Sequence, residues 1–258
     1  MNNDDYLREV LRAQAVGPES NEMKALISAR TDIEKLLRGA FADCSPTIQY
    51  GGSKAKGTML LEEHDLDLIC YFPHTDTAAG KNIEEIYENV CGALKRRYTV
   101  DPRTTALRVV DHDRDLGIDV VPGRFIDGNK TYAFLHQKDG PKKWLQTNLS
   151  KHVEHVTESG CVEDIRLGKL WKRRVGVSVR TFPLELLIIK MLDGSRKAGL
   201  DARFRFLLTE MAAGLDGVAI EDPANSNNDI SLDGVRQRLA LAAASTLRTV
   251  ETSGWKPG

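Results

Sequence analysis

Gly51-Gly52-Ser53-Lys54-Ala55-Lys56-Gly57-Thr58 is followed by Asp65-Leu66-Asp67 at the head of an apolar run. Further along, Gly117-Ile118-Asp119-Val120-Val121 again sets an acid inside an apolar segment. Successive side chains of a strand point to opposite faces. Asp65 and Asp67 therefore share one face, and Leu66, Leu68 and Cys70 share the other. Asp119 alternates in the same way with Ile118 and Val120. Carboxylates held side by side repel and raise one another's pKa, and a bound divalent cation removes that penalty. Hard oxygen donors suit Mg2+, with Mn2+ as a substitute.

Asp65, Asp67 and Asp119 are thus the expected metal ligands and catalytic residues. Two ions can activate an attacking hydroxyl and stabilise a leaving pyrophosphate. Asp119 is expected nearest the attacking oxygen, where a carboxylate assists loss of its proton. A lone Asp-x-Asp reads more simply as solvated surface acids. The upstream turn and the third strand acid favour the metal. Gly52-Ser53 is expected to open a short helix whose free N–H groups bind phosphate, with the Ser53 hydroxyl as a further donor. Gly52 lets the chain approach a triphosphate closely. Lys56 either adds charge near those phosphates or is a surface lysine.

The rest of the chain supports an ordinary globular protein. Of 258 residues, 41% are hydrophobic and 28% charged, and the net charge is −1. That length serves one large domain or two smaller lobes. The charge balance speaks against a strongly basic, nucleic-acid-coating protein, while the uneven placing of the charges leaves room for a local basic groove. Cys44, Cys70, Cys91 and Cys161 form no Cys-x-x-Cys pair, so no zinc or redox motif is written here. Reduced thiols and a cytoplasmic home are expected. The opening Met1-Asn2-Asn3-Asp4-Asp5 is too acidic for a signal peptide. No apolar run approaches the roughly 20 residues of a membrane span.

Hydrophobic periodicity predicts helices over 5–15, 22–41, 53–60 and 82–97, the second with Met23, Ile27, Leu36, Leu37 and Phe41 in register. Strands are predicted over 47–50, 66–72, 106–110, 117–121 and 131–135. After Pro141 the pattern turns helical, over 144–158, 162–175, 182–197, 201–214 and 232–250. The expected fold is α+β. A mixed-sheet lobe over residues 1–143 carries the acids, a helical lobe covers 144–258, and an active-site cleft lies between them.

Gly52-Ser53, Lys56-Gly57-Thr58, Asp65-x-Asp67 and Asp119 resemble the motifs of polymerase-β-like nucleotidyltransferases. The branch resembled most is that of oligoadenylate synthases, cyclic GMP-AMP synthase and the bacterial antiviral dinucleotide cyclases (CD-NTases). Ile165-Arg166-Leu167-Gly168-Lys169-Leu170-Trp171-Lys172 resembles the helix whose lysine contacts the donor triphosphate, the place that Lys169 takes. Thr181-Phe182-Pro183-Leu184-Glu185 resembles the next helix start, where Thr181 matches a phosphate contact and Phe182 a ring stacked on the base. Glu221-Asp222-Pro223-Ala224-Asn225, with Asn227-Asn228, resembles the loop before the last helix. Phe182 and Pro183 depart from the family's commoner residues, and the animal DNA sensor's zinc module is missing.

The resemblance spans residues 45–250. It implies a two-metal enzyme that uses NTPs, ATP among them, and releases pyrophosphate. Its product would be a cyclic or linear oligonucleotide messenger of bacterial antiviral defence. It leaves room for a regulatory protein or RNA partner, and implies no membrane. Two other readings stand beside it. One is an RNA or tRNA nucleotidyltransferase, including a toxin-like one, which would carry an RNA-binding module or a broad basic face. The other is a nucleotide-binding scaffold, which would have lost an acid. Plainer readings hold for other residues: Trp144 and Trp171 as core, Lys190 as a snorkelling stem or a cleft residue, His152 and His155 as an exposed polar face.

Overall fold

The computed structural model describes residues 2–139, 142–194, 199–232 and 234–255. The chain divides into two compact units. One comprises Val16–Lys56 and Glu63–Val153; the other comprises Met1–Ala15, Gly57–Glu62 and Glu154–Gly258. The sequence boundary at 143/144 differs from this division chiefly in the place of the first helix, which groups with the C-terminal ones.

The first unit is built on a seven-stranded mixed sheet. Its strands are β1 (Thr47–Tyr50), β2 (Leu66–Phe72), β3 (Thr99–Pro102), β4 (Leu107–Asp111), β5 (Leu116–Phe125), β6 (Ala133–His136) and β7 (Trp144–Thr147). The order is β1-β2-β5-β4-β3, and β6 pairs with both β5 and β7. Among the described residues, β2 and β5 run parallel and the other pairs of this sheet are antiparallel. The alternation that suggests the strands also buries them. Leu66, Leu68, Leu107, Val109, Ile118 and Val120 are all at most 1% exposed.

Helices α2 (Asn21–Ala40) and α4 (Ile83–Leu94) pack on each other and on this sheet. α2 starts at Ser20, whose hydroxyl accepts from the Met23 N–H at 3.2 Å. It buries Leu26, Ile33 and Leu37, while Ile27, expected on its apolar face, is 49% exposed. α4 starts at Asn82, whose Oδ1 accepts from the Glu85 N–H at 2.9 Å. Glu85 in turn accepts from the Lys81 N–H, so the first turn is closed reciprocally. The short α3 (Gly52–Lys56) stops at Gly57, which has a φ of +70°, rather than running on to residue 60.

Two expectations of the sequence change here. Residues 144–147 form the edge strand β7, and the helix that follows, α5 (Leu149–Thr157), is shorter than predicted. Leu145, Leu149, Val153 and Val156 fall at helical spacing, which hides the strand. Trp144 is consequently 44% exposed and edge-on to Phe134 at 4.9 Å, not in the core.

The second unit is helical: α1 (Asn3–Ala13), α6 (Val162–Arg174), α7 (Thr181–Leu192), α8 (Leu200–Ala213) and α9 (Arg236–Ser253). A short β8–β9 pair (Glu221–Asp222 with Asn225–Asp229) occupies the segment read from sequence as a loop. α7 is apolar on nearly every side and runs through the core, with Leu184, Leu187 and Ile188 fully buried. Trp171 is core, at 6% exposed, and its Nε1 donates to Thr246. Asp164 is fully buried and takes the Arg203 Nε at 2.9 and 3.1 Å. No helix among the described residues is long and apolar enough to cross a membrane. The end of the predicted 182–197 helix lies outside the described residues.

Candidate active site

The site begins at the carboxyl end of β1. Gly51 donates its N–H to the Asp67 carbonyl at 2.8 Å, which ties the glycine turn to β2. Gly52 then takes a φ of +49° and packs on the Asp67 carboxylate. A Cβ built on Gly52 would stand 1.7 Å from Asp67 Oδ2. The turn is therefore moulded to this acid, and only glycine fits. Ser53 follows, half-buried, in α3. Lys56 is buried, at 7% exposed. Two cations gather at the turn. The Arg30 guanidinium lies 4.7 Å from the Tyr50 ring centre, and the Lys54 ammonium 5.9 Å from it.

The acids come together as their alternation predicts. Asp67 on β2 and Asp119 on β5 are direct partners in the parallel register. Asp65 stands one residue before β2, which starts at Leu66. Further along the same face of β2, Ile69 and Tyr71 join Phe125, Ala133 and Leu135 in a small apolar cluster. The polar patch is thus confined to one end of the strands.

A residue that the sequence reading missed completes the patch. Arg108 on β4 is the antiparallel partner of Asp119. Its Nη1 donates to Asp119 Oδ2 at 3.0 Å, and its Nη2 to Asp65 Oδ2 at 3.1 Å. Such a fork between two carboxylates is the geometry that arginine, not lysine, provides. In sequence, Arg108 is one charge in the alternating run Ala106–Val110, where a solvated side chain is the ordinary reading. Burial pushes the Asp119 carboxyl above the usual carboxylate range, against the lowering pull of the Arg108 charge.

The donor set suits a hard divalent cation: three carboxylates from adjoining strands, one seated against a glycine. Among the described residues, no three histidine, cysteine or carboxylate side chains are yet gathered closely enough to hold an ion. The Arg108 guanidinium is bound to two of the three acids.

Lys169, Thr181 and Phe182 belong to the helical unit. Lys169 is 1% exposed, and its Nζ donates to the Thr58 carbonyl at 3.0 Å. The Thr58 hydroxyl donates to Glu185, itself 1% exposed, at 3.0 Å. This buried network fixes the segment that joins the glycine turn to the acids in sequence. Thr181 Oγ1 accepts from Lys172 Nζ at 2.9 Å. Phe182 is half-buried against the helical core, and Lys190 is exposed. Lys169→Met keeps the stem but strips the Thr58 carbonyl of its donor. It is expected to cost about 1–3 kcal/mol, a fall of several degrees in Tm for a chain of this size. A purely nucleotide-contacting lysine would instead leave melting unchanged and lower NTP affinity alone, so melting curves and calorimetry on the one variant separate the roles.

No family model matches the chain. Over 220 residues, 70% of this chain and 67% of the relative, it is 24% identical to the cyclic AMP-AMP-AMP synthase of Escherichia coli strain MS 115-1. The fold is that of solved CD-NTases. It matches CdnC from E. coli MS115-1, solved in complex with HORMA-deltaN, with a TM-score of 0.74, 16% identity, and 99% and 93% of the two chains covered. It also matches the CdnE cyclic dinucleotide synthase of Elizabethkingia meningoseptica, solved with GTP and Apcpp, with a TM-score of 0.71, 16% identity, and 99% and 100% covered. These relatives lie in the branch that the sequence motifs resemble, and the two-part α+β fold is as expected.

Proposed function

We propose that this chain joins nucleoside triphosphates into a cyclic or linear oligonucleotide that serves as a second messenger of bacterial antiviral defence. The observation that carries this reading is the direct pairing of Asp67 with Asp119 across β2 and β5, with Asp65 beside them and Gly52 seated on Asp67. The similarity to a cyclic AMP-AMP-AMP synthase supports NTP substrates, ATP among them.

Asp65, Asp67 and Asp119 would hold Mg2+, or Mn2+ in its place. When bound, the metal supplies charge stabilisation to the attacking hydroxyl and to the leaving pyrophosphate. In the reaction, an acceptor hydroxyl oxygen bonds to the donor's α-phosphorus. The bond from that phosphorus to the bridging oxygen breaks, and pyrophosphate leaves. Asp119 takes the proton of the attacking hydroxyl. Free N–H groups at Gly52 and Ser53 receive donor phosphates, and Lys56 adds positive charge behind the turn. From the helical unit, Phe182 stacks on the donor base and Thr181 offers its hydroxyl to phosphate, while Lys169 serves by holding Thr58. A regulatory protein partner belongs to this reading, since a structural neighbour was solved with HORMA-deltaN. The buried thiols of Cys44, Cys70, Cys91 and Cys161, none of them in a disulfide, support a cytoplasmic home.

The test is incubation of the full chain with all four labelled NTPs and Mg2+ or Mn2+, followed by mass analysis. The expected products are pyrophosphate and oligonucleotides, both lost in Asp67→Ala. Nucleotide addition to supplied RNA, with no product from NTPs alone, would instead establish an RNA nucleotidyltransferase.

A further inference from the structure

The guanidinium of Arg108 does more than complete a surface ion pair. It reaches from β4 to Asp119 on β5 and to Asp65 at the threshold of β2, with Nη distances of 3.0 and 3.1 Å. Its side chain is only 26% exposed, and that of Asp119 only 29%. The strand beneath it is shaped to receive it. Gly117, which faces Val110 in the β4–β5 register, lies under the guanidinium. A Cβ at 117 would stand 1.9 Å from Arg108 Nη2 and 2.4 Å from Cζ. Gly117 has no unusual φ, so its missing side chain answers to this seat and not to a turn.

We propose that Arg108 is a built-in counter-cation of the acid site. It holds these carboxylates in place when no metal is present, and a divalent ion binds only as Arg108 releases them. This rests on the reading of Asp65, Asp67 and Asp119 as metal ligands. Arg108 brings one positive charge to two of the three carboxylates, so a doubly charged ion held by all three has the larger Coulomb attraction and can displace it. The two arms differ in strength. Asp65 is 55% exposed, so its pair is screened by solvent and opens first. The half-buried Asp119 pair is the one that sets the competition. The consequence is a free-metal threshold below which the site stays closed to catalysis.

The test is direct Mn2+ binding to the full chain, read by electron paramagnetic resonance of free Mn2+, with folding checked by melting curves. Arg108→Gln removes the counter-cation and is expected to lower the Mn2+ Kd about tenfold. Gly117→Ala keeps the arginine but evicts its far end from the seat, and is expected to lower the Kd several-fold. Arg108→Lys, which keeps the charge but cannot fork, should fall between wild type and Arg108→Gln. Tighter binding in both Arg108→Gln and Gly117→Ala supports the proposal. An unchanged or higher Kd in Arg108→Gln overturns it. Tightening in Arg108→Gln alone also overturns it, since that would reflect net charge and not occupancy of the seat. Asp119→Asn keeps the two failures apart: if it leaves Mn2+ binding as in wild type, the metal-ligand reading itself fails.

Discussion

Asp119→Asn is expected to lower turnover more than about 100-fold, the scale on which even the groups that merely support metal ligands matter. Asp65→Asn and Asp67→Asn should do the same, because each deletes one of the charges that hold the cation. Their effects on stability should differ. Asp119 is half of a half-buried pair with Arg108, so its loss in metal-free buffer is expected to cost roughly 0.5–1 kcal/mol. Asp65 pairs with Arg108 from a mostly exposed position, and its loss should leave melting nearly unchanged. Carboxylate repulsion alone would make every one of these variants more stable than wild type; the guanidinium reverses that for Asp119. Pyrophosphate release and melting curves in the presence of a chelator read the two effects separately. Near-normal turnover in any of the three variants removes that acid from the site.

The second large effect is expected at Gly52. Gly52→Ala brings a Cβ to 1.7 Å from Asp67 Oδ2, 2.3 Å from Cγ and 2.8 Å from Cβ. The last of these is not the free end of a flexible chain, so Asp67 must turn or the loop must move. The residue also sits at a φ of +49°, where an L side chain costs about 1–2 kcal/mol. A displacement of about 1 Å at a reacting centre can lower rates about 100-fold, and that loss in turnover is the expected result. Gly51→Ala is the control. A Cβ there meets Asp67 and Ile69 at ordinary distances of 3.6 Å, and activity close to wild type is expected. Equal turnover in the two variants would mean that the turn does not shape the acid.

Strand alternation made the acid site legible. Leu66, Leu68, Ile118 and Val120 had to face a core, which left Asp67 and Asp119 on the opposite face. Alternation does not reveal which strands lie side by side. That Asp119 faces Asp67 on one edge and Arg108 on the other depends on the strand order, so Arg108 was invisible until β4 was placed. Lys169 illustrates a different limit. A lysine on a helix reads as a ligand contact or a surface charge, and only a tertiary partner such as the Thr58 carbonyl can satisfy it in the interior. Strand β7 is hidden because its Leu145 continues the spacing of α5, and β8, two residues long, is too short to show any period.

The placement of α1 bears on the order in which the protein is made. Leu7 and Leu11 are 3% exposed only because α1 packs against α6 and α8. Its polar ties are as distant: Arg8 reaches Glu163, 155 residues later, and Asp4 accepts from the Asp201 N–H, 197 residues later. At roughly 5–20 residues per second, α1 emerges about 8–40 s before those partners exist. The sheet unit, encoded almost entirely between residues 16 and 153, can close in that interval. Throughout it, Leu7 and Leu11 lack the partners that cover them in the folded protein, and a segment of this length is only a marginal helix by itself. Completion of the helical unit is thus a late, long-range step, in which α1, made before the sheet unit, docks after it.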